Sequence, residues 1–149
     1  MSVFAHDWNF TTHESLPAKP WFDPHALPPT GNVPMRCVPS GPDRALGSSH
    51  NMLLGALAVA QRHVRIQSPY FLPDQTLIGA LATAARRGIH VDIVIPGKNN
   101  LRLVDYAMSA QLDQVVRTGC RVWRAHGAFD HSKLMTCLLY TSDAADDSL

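Results

Sequence analysis

In the stretch F-D-H-S-K-L-M at residues 129–135, His131 and Lys133 stand two apart in a run that otherwise reads as a buried β-strand. Side chains two apart on a strand project from the same face. An imidazole and an ammonium would then stand side by side on a rigid support. Such a pair suits an anionic oxyacid, above all a phosphate: the lysine holds the charge, and the histidine attacks phosphorus or moves a proton. H-x-K is a short pattern, and with eight His and three Lys in the chain about 0.16 instances arise by chance. The competing reading is an exposed edge strand with two polar residues turned outward, and composition alone divides the two about evenly.

Other residues that could serve the same chemistry lie where strands should end. Lys98 follows Pro96-Gly97 in a strand-to-helix loop, at the carboxyl edge where α/β sheets bind ligands; an exposed lysine on a polar turn is the plainer reading. Tyr70 and Phe71 follow Ser68-Pro69 and could line a pocket or simply cap the core. His126 is a possible neighbour of His131. The remaining histidines show no metal-ligand spacing, and the three cysteines (Cys37, Cys120, Cys137) include no C-x-x-C. Buried thiols are therefore expected rather than a zinc site or a disulfide framework. No G-x-G-x-x-G, G-x-x-x-x-G-K-[ST] or G-x-S-x-G occurs, so the usual phosphate cradles and the serine-hydrolase elbow are missing.

The elements that would aim these groups are legible from periodicity. Residues 33–38 read as a first strand closed by P-S-G-P, and 47–62 as a helix with Leu53, Leu54, Leu57 and Ala60 at helical spacing. Residues 64–68 alternate like a strand. Asp74 is an N-cap for a helix over 75–87, whose stripe is Leu77, Ile78, Leu81, Ala84 and Ala85, with Gly88 as its left-handed stop. A strand over 90–95, a long helix over 101–118 closed by Gly119, a strand over 120–125 and the strand of 129–135 follow. The order β-α-β-α-β-α-β-β argues for an α/β fold: a largely parallel sheet flanked by helices. The last connection is too short for a crossover helix, so the final two strands are expected to pair antiparallel.

The 149 residues suffice for one domain with a real core, and 46% hydrophobic content fits a folded globular chain. Net charge is +1, but the last twelve residues hold three Asp and no base. Without them, 13 basic residues face 9 acidic ones, a balance of +4. That suits an anionic partner and falls short of a nucleic-acid signature, so no nucleic acid is expected as partner. No apolar run approaches the ~18 residues of a membrane span, and residues 1–10 do not read as a signal peptide. Within residues 1–32, 2–10 read as the end of a helix of a preceding half-domain, and 11–32, with Pro17, Pro20, Pro24, Pro28 and Pro29, as a linker, either pinned by Trp21 and Phe22 to a neighbouring surface or a floppy tail.

The ordered series VPSGP, helix, IQSPYFLPD, helix, VDIVIPGK, long helix, DHSKLMT resembles the second half of the phospholipase D superfamily, and within it bacterial cardiolipin synthases. The likeness covers about residues 33–136, and VFAHDWNFTT resembles the last helix of the half that precedes it. The resemblance implies two H-x-K-x-x-x-x-D motifs facing each other across a cleft, one of them supplied by a first half-domain. One histidine attacks phosphorus to give a phosphohistidine. The other, which His131 would be, protonates the leaving alcohol and then activates the incoming one. Lysines such as Lys133 hold the phosphate oxygens, and the resemblance implies no metal and no cofactor. In cardiolipin synthases a phosphatidyl group passes to phosphatidylglycerol, which implies a phospholipid substrate and association with the bacterial cell membrane. Other activities of the superfamily, phospholipase or nuclease, and a non-catalytic half-domain are the alternatives.

The chain departs from that pattern at one end. The motif asks for Asp at position 138, where Leu138 stands; the Gly-Ser-x-Asn stretch expected after it and the first-half motif are absent. From Cys137 onward, CLLYTSDAADDSL resembles translated adapter sequence, so residues 137–149 are expected to be a non-native tail. Residues 33–136 would be a truncated half-domain, inactive by itself because no carboxylate orients His131.

Overall fold

Alternating apolar residues define the sheet in the computed structural model, which describes residues 2–17, 31–39 and 47–137. Its four strands are β1 (His63–Gln67), β2 (His90–Pro96), β3 (Arg121–Ala125) and β4 (Leu134–Cys137), in the order β3-β2-β1-β4. β1 with β2 and β2 with β3 are parallel, and β4 runs antiparallel to β1. The largely parallel α/β sheet is as the sequence predicts. The expected pairing of the last two strands is corrected: β3 and β4 occupy opposite edges. β4 is antiparallel, as its short connection demands, but it joins β1. There Met135 and Cys137 pack against the core cluster.

Three helices enclose the same core: α2 (Ser48–Val59), α3 (Gln75–Arg86) and α4 (Arg102–Arg117), after an N-terminal α1 (Ser2–Thr12). Asp74 caps α3 by accepting from the Leu77 N–H at 2.8 Å. Gly88 and Gly119 close α3 and α4 at φ +85° and +101°, a backbone that side chains resist. Leu57 of α2, Leu81 of α3, Met108 and Val115 of α4, and Val64, Val91, Ile93 and Ile95 of the strands form one buried cluster. Burying each such side chain contributes about 1.5–3 kcal/mol. β2 reads in the sequence as an apolar strand interrupted only by Asp92, and its burial alternates. Asp92 on the other side is half-buried, paired with Arg121 and accepting from the Trp123 indole at 2.7 Å.

The chain divides into two units, Met1–Ser49 and His50–Leu149. In the first, α1 runs two residues past the predicted helix end, and Thr11 and Thr12 donate back to the carbonyls of Asp7 and Trp8. The strand expected at residues 33–38 is not formed. Val33 and Met35 are 75% and 90% exposed; the alternation is there, but no described strand offers them a ladder, and a lone strand has nothing to hold it. Cys37 is exposed rather than buried, Cys120 is buried and Cys137 half-buried, all unpaired. The linker prolines Pro20, Pro24, Pro28 and Pro29, with Trp21 and Phe22, lie outside the described residues, as do the turn at 40–42 and residues 138–149, Leu138 among them. Cys137 closes β4. Among the described residues no helix is long and apolar enough to cross a membrane.

Candidate active site

Sheet order determines where His131 and Lys133 lie. β3 ends at Ala125 on one edge, and Leu134 pairs with Gln67, the last residue of β1, on the other side of β2. The connection between them must therefore cross the carboxyl ends of β2 and β1, the edge that binds ligands in open α/β sheets. His131 and Lys133 sit in this connection, not on the strand predicted over 129–135: β4 begins only at Leu134. The local reason is Asp130. Its Oδ1 accepts from the Ser132 N–H at 2.9 Å and the Ser132 hydroxyl at 2.7 Å, an Asx turn that competes with strand pairing. Its Oδ2 accepts from the Gln67 amide at 2.7 Å, fastening the turn to the end of β1. These bonds, Ser132's first, together with the charge of His131, hold the Asp130 carboxyl below its ordinary value of 3.8.

The turn keeps the two groups together without a strand. Lys133 Nζ lies 3.4 Å from His131 Nδ1. An ammonium can only donate, so Nδ1 is the acceptor in this contact. The imidazole stands edge-on to the Tyr70 ring at 5.3 Å and to the Phe129 ring at 5.8 Å. Tyr70 donates its hydroxyl to Asn100 Oδ1 at 2.9 Å. Asn99 ties the same loops, donating to the Pro69 carbonyl at 3.2 Å and accepting from the Leu101 N–H at 2.9 Å. His131 and Lys133 are both exposed and open to a soluble anion.

The other sequence candidates separate. Tyr70 joins the cluster through its ring. Phe71, 5% exposed, turns into the core. Lys98 is exposed in the loop after β2, with no hydrogen bond or ion pair to a described residue. His126 is exposed, and no described contact joins it to His131. Sequence reading missed Asp130, Gln67 and Asn100. D-x-S before a strand is a recognisable Asx-turn signal, but Gln67 and Asn100 carry no signal apart from the fold. Among the described residues, no three His, Cys, Asp or Glu side chains are grouped to hold a metal ion. The arrangement can bind an oxyanion at Lys133 and pass a proton through His131.

A family model described as cardiolipin synthase, PLD-like domain, matches residues 53–140. Cardiolipin synthase A of Pseudomonas putida (strain GB-1) is 37% identical over 132 residues, covering 89% of this chain and 27% of that protein. The major cardiolipin synthase ClsA of Bacillus subtilis (strain 168) is 34% identical over 133 residues, covering 87% and 27%. The chain thus spans about a quarter of the length of these relatives. Among solved structures, the polyphosphate kinase of Porphyromonas gingivalis superposes with a TM-score of 0.52 at 19% identity, over 66% of this chain and 16% of that one, a likeness of fold alone.

Proposed function

The chain belongs to the family of cardiolipin synthase PLD-like domains, and from that premise we propose that it is part of a phosphatidyltransferase, with His131 and Lys133 as one half of a two-histidine site. The observation that supports this best is the 3.4 Å approach of Lys133 Nζ to His131 Nδ1. A phosphate entering the site takes the lysine's charge. It meets an imidazole whose Nε2 can give or take a proton.

The reaction proceeds in two displacements. A histidine of the missing half-domain attacks phosphorus, forming a P–N bond as the P–O bond to the leaving alcohol breaks. His131, as the imidazolium, gives its Nε2 proton to that departing oxygen and is left neutral. In the second step His131 takes the proton from the acceptor hydroxyl, whose oxygen forms the new P–O bond as P–N breaks. Lys133 offsets the charge on the non-bridging oxygens in both steps. Tyr70 steadies the ring. Lys98, exposed in the loop after β2, would add charge for the headgroup, and the buried Phe71 would stand on the apolar side. The substrate is a phospholipid such as phosphatidylglycerol, met at the membrane surface. In this reading the isolated chain lacks the nucleophile and the carboxylate partner of His131, and does not turn over.

Titration with inorganic phosphate, followed by 31P and His131 ring signals, tests the site. His131→Ala and Lys133→Ala should each weaken binding by about tenfold or more, in line with the ~1.5–3 kcal/mol of a charge-assisted bond; unchanged affinity in both would sink the assignment. Cardiolipin formed from phosphatidylglycerol by the 149-residue chain, and lost in His131→Ala, would refute the inactivity.

A further inference from the structure

Beside Lys133 the molecule holds a cavity of about 440 Å³ that the phosphate chemistry leaves unused. Its walls are apolar: Met52, Leu53 and Leu57 of α2 on one side, Phe71 and Leu72 on another, and Met135 of β4 along the edge. Two of its polar liners are already engaged. Gln67 donates to Asp130 and Tyr70 donates to Asn100. Lys133 is the single charged residue in the lining. A volume of this size falls within the ~300–1,000 Å³ typical of small-molecule sites.

We propose that this cavity seats a hydrocarbon chain attached to the phosphate that Lys133 and His131 hold. The inference rests on the phosphate reading of that pair and adds the part of the ligand that reading does not place. An apolar chamber with one ammonium at its mouth complements an amphiphile: an anionic head joined to an alkyl tail. A polar group set in the chamber would lose hydration against its largely apolar walls. Met52 and Met135 bring side chains that repack around a flexible tail at little cost. The head stays at the sheet's carboxyl edge, and the first carbons of the tail pass inward between α2 and β4.

The test is calorimetric titration of the 149-residue chain with inorganic phosphate and with butyl, octyl and dodecyl phosphate, each below its micelle concentration. Affinity should rise about fourfold per methylene while the cavity fills, then level off. Met52→Trp and Leu72→Trp place an indole in the chamber from positions 53% and 46% exposed, so the core is untouched. Both should abolish the chain-length increment and leave inorganic phosphate binding as it was. Equal affinity for all four ligands, or an increment that survives in both Trp variants, overturns the proposal. An increment sensitive to the Trp variants, in a chain that does not bind inorganic phosphate, keeps the cavity assignment and overturns the phosphate reading instead.

Discussion

Asp130 does at the residue scale what a longer strand would otherwise do. Three hydrogen bonds converge on its carboxylate, from Ser132 twice and from Gln67, and they hold His131 and Lys133 in one place. In Asp130→Ala the turn loses every acceptor that shapes it, and the lysine–histidine spacing broadens. Phosphate affinity should fall about tenfold, with the urea midpoint little changed because the site is exposed. Asp130→Asn keeps the acceptor oxygen and should recover most of the binding. The pH response follows from the depressed carboxyl. Its bonds are fully present above the ordinary value of 3.8 and are lost as pH falls through the lower folded value. The Ser132 amide shift, followed from pH 6 down to 2, should move with a midpoint below 3.8; a midpoint at or above it counts against the hydrogen-bonded turn.

Helix α2 and loop 97–101 show how elements are held in register beside that turn. α2 ends without a side-chain cap of its own, and Arg87, just past α3, supplies one. Its guanidinium donates to the carbonyls of Leu57, Ala58 and Ala60 at 3.3, 2.8 and 2.7 Å, where the helix dipole also favours a cation. Arg87→Met should cost about 1 kcal/mol in urea unfolding, discounted for exposure, and loosen the α2 wall of the cavity. Gly97 is constrained differently. It donates to the Ala125 carbonyl at 2.9 Å, and a Cβ there would lie 2.5 Å from that same oxygen. Because the obstacle is backbone, Gly97→Ala should destabilise by about 1–3 kcal/mol, read as a lower urea midpoint at unchanged slope. Sequence reading took Gly97-Lys98 as a turn, which it is. The close approach of β3 that requires glycine could not be read, because it depends on a residue 28 positions away. Caps and stops were legible for the opposite reason: Asp74, Gly88 and Gly119 act within one helical turn of themselves.

The whole molecule adds a pH dependence far from the site. His63 and His90, paired across β1 and β2, stack with ring centroids 5.0 Å apart at the sheet's other end. Burial first, then His90, Arg65 and Arg62, push the His63 imidazole below 6.5, with Asp92 opposing. The unfolded chain then binds the proton more readily. Stability is complete above pH 6.5 and declines as pH falls past it. The urea midpoint of the wild type should drop between pH 7 and 5 more steeply than that of His63→Gln; parallel curves would exclude the stack as the cause.

At this scale the division between sequence and fold is plain. Periodicity and local capping chemistry determined the helices, the three parallel strands, the α/β class and the neighbouring of His131 and Lys133, since each needs only neighbours within a few residues. The tertiary structure alone decided that residues 33–38 make no strand and that β4 joins β1 rather than β3. It decided that His131 and Lys133 ride on a turn across the sheet's carboxyl edge, and that an apolar chamber opens beside them. Those outcomes depend on which edge offers free hydrogen bonds and which surface offers apolar contact, and both come from residues distant in the chain.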